Sequence, residues 1–212
     1  GMQFVQDLYR HVVREVYVKT TFEINGHTVD FLAEWQTINF CEIIEERFGV
    51  NVLLSSEEEV LDAALTGGIV LGDSPNKARA VDLMWKHIRK TIAGPAFLVD
   101  VPVFMEPLAK RSGENPNLVE RFQIILAGSE MGKGFSELND PQDQRIRFEE
   151  QQRMRDAGDD EAQRLDEDYV HAMEYGMPPA FGFGVSERLF SFLEGKTIHE
   201  AQLFPLLRPR SG

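Results

Sequence analysis

The stretch that most restricts the fold lies between Pro95 and Leu138. There "PAFLVDVPVF", "RFQIILAG" and "GFSEL" follow one another as short runs rich in β-branched and aromatic residues. Such runs read as strands, and together they predict an antiparallel sheet. What precedes them has a different texture. "QFVQDLYRHVVREVY" sets Phe4, Val5, Leu8, Val12, Val13 and Val16 at helical spacing, so one face of a helix should pack inward. "TTFEI" and "HTVDF" flank Asn25-Gly26, a dipeptide that tolerates positive φ at both turn positions and so predicts a β-hairpin. "NFCEIIEERF" and "SSEEEVLDAAL" read as short helices, the second opened by a capping box between Ser56 and Glu59. A longer amphipathic helix, "NKARAVDLMWKHIRKTI", follows Pro75 and stops before Gly94-Pro95.

Beyond the strands, residues 141–177 form a polar, mostly helical insertion, broken at Ala157-Gly158 and crowded with carboxylates; it reads as a solvated face. A last strand, "PPAFGFG", turns directly into a helix, "SERLFSFLEG". With no internal repeat and no linker, the expectation is one α+β domain over residues 2–212: mostly helical with a hairpin to residue 94, sheet over 95–140 and 178–212. At 212 residues and 42% hydrophobic content, such a domain can close an ordinary core.

A net charge of −13 argues against broad attraction to nucleic acid, which rests on many Lys and Arg contacts to phosphates. A single cysteine, Cys41, excludes an internal disulfide and reads as a small apolar filler on a helix. No run approaches the length of a membrane span, and the amino end lacks the pattern of a secretory signal, so a soluble, cytoplasmic protein is expected. Gly1 before Met2 reads as a residue left by expression, leaving Met2 as either a native start or a chosen boundary.

The segment "AGSEMGKGFSELND", Ala127 to Asp140, nearly spells a phosphate-binding loop. Such a loop needs a Ser or Thr after its lysine and a helix behind it. Gly134 follows Lys133 instead, and "FSEL" is strand-like up to the turn signal Asn139-Asp140-Pro141. Read as a strand, the segment puts Lys133, Phe135 and Glu137 on one face and Gly134 and Ser136 on the other. An acid beside an aromatic ring suits an ammonium group. From spacing alone an ordinary half-buried strand accounts for the pattern as well. Glu130 has the wrong parity to join that face unless a bulge intervenes, and Gly132 and Gly134 mark where a bulge or a close ligand approach belongs.

The blocks "GFSELNDPQDQRIRFEEQ", "AGDDEAQRLDEDYVHAMEYGMPP" and "LFPLLRPR", with "VPVFMEPLAKR" upstream, resemble the class II lysyl-tRNA synthetases in their order, closely over about residues 95 to 210 and more loosely before. The resemblance implies a class II antiparallel sheet flanked by helices, here incomplete, with ATP-dependent activation of lysine and its transfer to tRNA. It further implies that Glu137 pairs with the substrate ε-ammonium, that Phe135 lines the same pocket, and that Glu130 helps hold Mg2+ and ATP. "GFGVSER" resembles the third class II motif, in which Gly182 and Gly184 let ligand approach the backbone and Arg188 meets the ATP base and γ-phosphate. There are three departures. Lys133 stands where the family has an Asn that contacts the amino acid; its ammonium could reach the substrate carboxylate but would repel a lysine side chain. Gln123 stands where the family has a metal-binding Glu. The third motif is one residue short between Gly184 and Glu187-Arg188, which is about 100° of helix rotation.

The family's first two motifs and its anticodon-binding barrel should lie ahead of this chain, so contact with tRNA is expected largely through parts outside it. The 212 residues read as the carboxyl-terminal part of a catalytic domain, inactive alone. A homodimer stays open, although the usual dimer-forming motif is not in the chain. Two other readings share these residues: a synthetase-like ligase that lysylates a protein, and a degenerate, non-catalytic paralogue acting as a binding module. The five histidines fall at no metal-ligand spacing, Trp35 and Trp85 read as core anchors, and Arg208 and Arg210 as a solvated tail.

Overall fold

The computed structural model describes residues 1–72, 75–159 and 162–204. Arg208 and Arg210 lie outside these residues. The chain opens with helix α1 (Met2–Glu15), followed by a hairpin of β1 (Thr21–Ile24) and β2 (His27–Asp30). Asn25 and Gly26 take the turn with φ of 49° and 78°, as the dipeptide demands. Next come β3 (Gln36–Asn39), α2 (Phe40–Phe48), α3 (Glu57–Thr66) and α4 (Lys77–Ile88). The capping box forms at Ser56 and Glu59. Strands β4 (Ala96–Val99), β5 (Arg121–Leu126) and β6 (Ser129–Ser136) then lead to α5 (Pro141–Asp156), α6 (Glu167–Glu174), β7 (Phe181–Val185) and α7 (Arg188–Glu194).

The main sheet has the order β3-β4-β5-β6-β7. It is mixed, not purely antiparallel, because β3 pairs with β4 in parallel while the other neighbours run antiparallel. Strand β3, "QTIN", has no apolar alternation to announce it. It forms at the sheet edge, where β4 is its one ladder partner among the described residues, and Asn39 at its end caps α2 by accepting from the Glu42 amide. "DVPVF" leaves the sheet instead of extending β4: Asp100 turns to φ 58°, and Val103–Met105 form a 3-10 turn.

The sheet divides two cores. Ala96, Leu98 and Ile125 face α2, α3 and α4 on one side; Phe97, Phe122, Ile124, Leu126 and Met131 face α1, the hairpin and α7 on the other. Trp35 and Trp85 are both core anchors, as expected. Helix α1 buries Val5, Tyr9 and Val13, whereas Phe4 and Val16 turn outward. The tyrosine is the anchor that apolar spacing passes over, because its ring packs while its hydroxyl finds a partner. The insertion is less solvated than its charge suggests. α5 buries Gln144, Arg147 and Phe148, and Arg147 pairs with Asp143 at 2.7 Å while donating to the carbonyls of Glu106 and Ala109. Burial pushes the Asp143 carboxyl up, but bonds from Arg147 and Arg111 outweigh it and hold the group at about 2.

Candidate functional site

Strands β5 and β6 build the site through one irregularity. Their register runs Arg121↔Phe135, Gln123↔Lys133 and Ile124↔Gly132, then shifts so that Ile125 faces Glu130. Met131 is the extra residue of a β-bulge, and it turns into the aromatic core together with Gly132. The bulge corrects the parity of Glu130, which therefore lines the same cleft as Lys133. The Met131 carbonyl accepts from both the Tyr9 hydroxyl at 2.7 Å and the Ser186 amide at 3.1 Å. Gly132 and Gly134 serve the far face: an added Cβ would lie 2.7 Å from the Tyr9 hydroxyl at the first, and 2.8 Å from Phe122 at the second. They admit aromatic packing, so the close approach at these two glycines is made by the protein's own rings and not by ligand.

The cleft is about 290 Å³. Its floor is the β5–β6 face with Arg121, Gln123, Glu130 and Lys133; its walls are Arg79, Asp82 and Trp85 of α4, Phe104 to Glu106 beside the 3-10 turn, and Gln151 and Met154 of α5. Glu106 organises the floor. It is 7% exposed, takes Arg121 at 2.5 Å on one oxygen and the Lys133 ammonium at 2.7 Å on the other. Arg121 also donates to the Gln123 side-chain oxygen. The Lys133 ammonium sits 5.7 Å from the Phe135 ring centre. Across the floor, Glu130 Oε1 accepts from the Trp85 indole at 3.1 Å and lies 3.8 Å from Arg89.

Glu137 stands apart from this network, just past the end of β6. Its backbone amide donates to Ala180, and its carboxylate lies so close over Gly182 that a Cβ there would collide with it. Burial raises its pKa, and among the described residues no cation or hydrogen-bond donor meets the carboxylate. Gly184, which faces Lys133 across the β6–β7 ladder, has open space where a side chain would be. Arg188 is the first residue of α7 and exposed, with its amide donating to the Ser186 hydroxyl; it does not line the cleft.

The structure thus brings Gln123, Glu130 and Lys133 into one cleft and sets Phe135, Glu137 and Gly182 beside it, towards β7. Three contributors escaped the pattern reading. Glu106 lies in an irregular segment, Arg121 is the buried partner one place before the phenylalanine of β5, and Trp85 is both a core anchor and a donor to Glu130. The only sequence trace of Glu106 is its place in "VPVFMEPLAKR", a block informative as a whole and silent on individual roles.

The residues present do not fit a resident divalent cation. Mg2+ needs hard anionic oxygens. On this floor the Gln123 oxygen is taken by Arg121, Glu106 is taken by two cations, and Glu130 alone keeps an acidic oxygen to spare. Among the described residues no three His, Cys, Asp or Glu side chains gather as metal ligands. Cys41 is also unsuited to chemistry, because burial first and neighbouring carboxylates second push its thiol up to about 12. No helix among the described residues is long and apolar enough to cross a membrane.

Known proteins extend this reading. The family model of the class II tRNA synthetases (D, K and N) matches residues 1–208. A lysine–tRNA ligase of Roseiflexus sp. (strain RS-1) is 42% identical over 213 residues, which cover 99% of this chain and 44% of that protein. The lysine–tRNA ligase of Thermotoga maritima is 37% identical over 211 residues, 99% of this chain and 42% of its own length. The chain spans less than half the length of these curated relatives. With the matched model running over nearly every residue, the chain belongs to the class II tRNA synthetase family of the D, K and N type.

Proposed function

We propose that this chain is the carboxyl-terminal part, residues 2–212, of the catalytic domain of a lysine–tRNA ligase. The observation that carries the proposal is Glu137, a half-buried carboxylate that meets no cation among the described residues, two positions from the Phe135 ring and pressed over a glycine. A carboxylate left uncompensated in such a place is complementary to an ammonium group. In this reading Phe135, Glu137 and Gly182 receive the lysine side chain, Lys133 faces the substrate carboxylate, Gly184 gives backbone access, and Glu130 and Arg188 serve ATP. The mixed sheet flanked by helices then represents part of the class II catalytic fold.

Adenylate formation is an attack of the amino acid carboxylate on the α-phosphate of ATP, with pyrophosphate leaving. What the chain's residues contribute is placement and charge: Glu137 orients lysine by its far end, and the cations of the floor oppose charge gathered on phosphate oxygens. On this floor the charge that the family's Mg2+ would screen falls to the cations, because Arg121 takes the Gln123 oxygen and Glu130 is the one acid with an oxygen to spare. Transfer to tRNA belongs to the whole protein and calls on parts beyond this chain. The names of the relatives favour tRNA over a protein as acceptor.

The test is ATP–pyrophosphate exchange by the protein of the complete reading frame. Exchange that depends on lysine is the expected outcome, and exchange with another amino acid but not lysine would refute the reading. The 212 residues alone are expected to show none.

A further inference from the structure

The floor of the cleft is built of donors where a metal site is built of acceptors. Gln123 has its oxygen fixed by Arg121, which leaves its nitrogen as the group with hydrogen bonds to give. Facing it across the ladder, Lys133 spends one ammonium donor on Glu106 and keeps two, on a side chain 40% exposed to the cleft. Lys133 and Arg121 share the acid Glu106, and Glu130 acts on both Arg121 and Arg89, so the three cations of the floor outnumber its two acids by one. Of the acids opposite, Asp82 is paired with Lys86 at 2.7 Å, Glu130 has Arg89 at 3.8 Å and a hydrogen bond from the Trp85 indole, and Asp159 accepts from the Asn76 amide. Nor is Lys133 loose, since Glu106 that holds it is itself held by Arg121, and the Glu106 carbonyl by Arg147. An anchored ammonium beside an amide nitrogen repels a divalent cation and attracts a phosphate oxygen.

We propose that Lys133, anchored by Glu106 and Arg121, replaces a metal ion on this floor: it supplies to a bound phosphate the positive charge that a divalent cation held between residues 123 and 130 would bring. Nucleotide binding by this chain is therefore independent of Mg2+. The proposal rests on the reading of the cleft as an ATP site.

The test is calorimetric titration of the 212-residue chain with ATP, in EDTA and in excess MgCl2, beside a titration with L-lysine. The expected result is an ATP affinity that agrees within about threefold in the two buffers. Lys133→Asn should weaken binding in EDTA about tenfold, the loss that goes with one charge-assisted hydrogen bond, while Lys133→Arg retains it. Lys133→Asn combined with Gln123→Glu should restore a requirement for Mg2+. Circular dichroism melts of each variant separate lost binding from lost fold. ATP affinity that rises tenfold or more with MgCl2 in the unaltered chain, or a folded Lys133→Asn variant that binds ATP in EDTA as well as the parent, overturns the proposal. In those cases the ATP reading survives. If neither lysine nor ATP binds in either buffer, that reading fails and takes the proposal with it.

Discussion

On one face of the β5–β6 ladder, Phe122, Ile124, Leu126 and Met131 stack against Tyr9 and the helices behind them; on the other, Arg121, Gln123, Glu130 and Lys133 meet in a charged cleft. The same two strands supply both, because alternate side chains leave a strand on opposite sides. The difference lies in how each face tolerates change. The apolar face is held by shape, with two glycines whose missing side chains make room for rings. The charged face is held by pairing, in which each buried group depends on a particular partner. One bulge serves both faces, turning Met131 into the core while returning Glu130 to the cleft.

This comparison is broken most directly at Tyr9. Tyr9→Ala removes a buried ring and leaves the Met131 carbonyl without its hydroxyl donor, so it should cost about 3–5 kcal/mol in urea unfolding. A cost below about 1 kcal/mol would mean that the apolar face does not hold the bulge. On the charged face, Glu106→Ala leaves the buried Arg121 without its acid and should cost about 3 kcal/mol. Unchanged stability would show that pairing there is not structural.

A smaller effect sharpens the contrast on α5, where Arg147 pairs with Asp143. The Asp143 carboxyl is depressed in the folded protein, so the stability it contributes is present above its ordinary pKa and is lost as pH falls from about 4 to about 2. Asp143→Asn should flatten that part of the pH–melting curve. An unaltered slope would place acid sensitivity elsewhere.

How much of this was legible beforehand follows from the physics of each element. The hairpin turn, the capping box and the helices carry local signals, and each appears where those signals place it. Strand β3 carries none, since it exists only through its parallel neighbour, and "DVPVF" has the composition of a strand but leaves the sheet at Asp100. For the site, the strand face of Lys133 and Phe135 was visible in spacing, and the bulge was foreshadowed by the parity of Glu130. The Glu106–Arg121–Lys133 network was not. It joins residues from three separate segments, and nothing in the local sequence of any one of them records the other two.

The central claim is that a lysine ammonium completes Glu137, whose carboxylate meets no cation among the described residues. Parallel calorimetric titrations of the chain with L-lysine and with norleucine, which has the same carbon chain without the ammonium, test this most directly. The account predicts that lysine binds and norleucine does not, and that Glu137→Gln abolishes lysine binding while leaving the melting temperature in place. Equal binding of the two ligands, or undiminished lysine binding by Glu137→Gln, would contradict it.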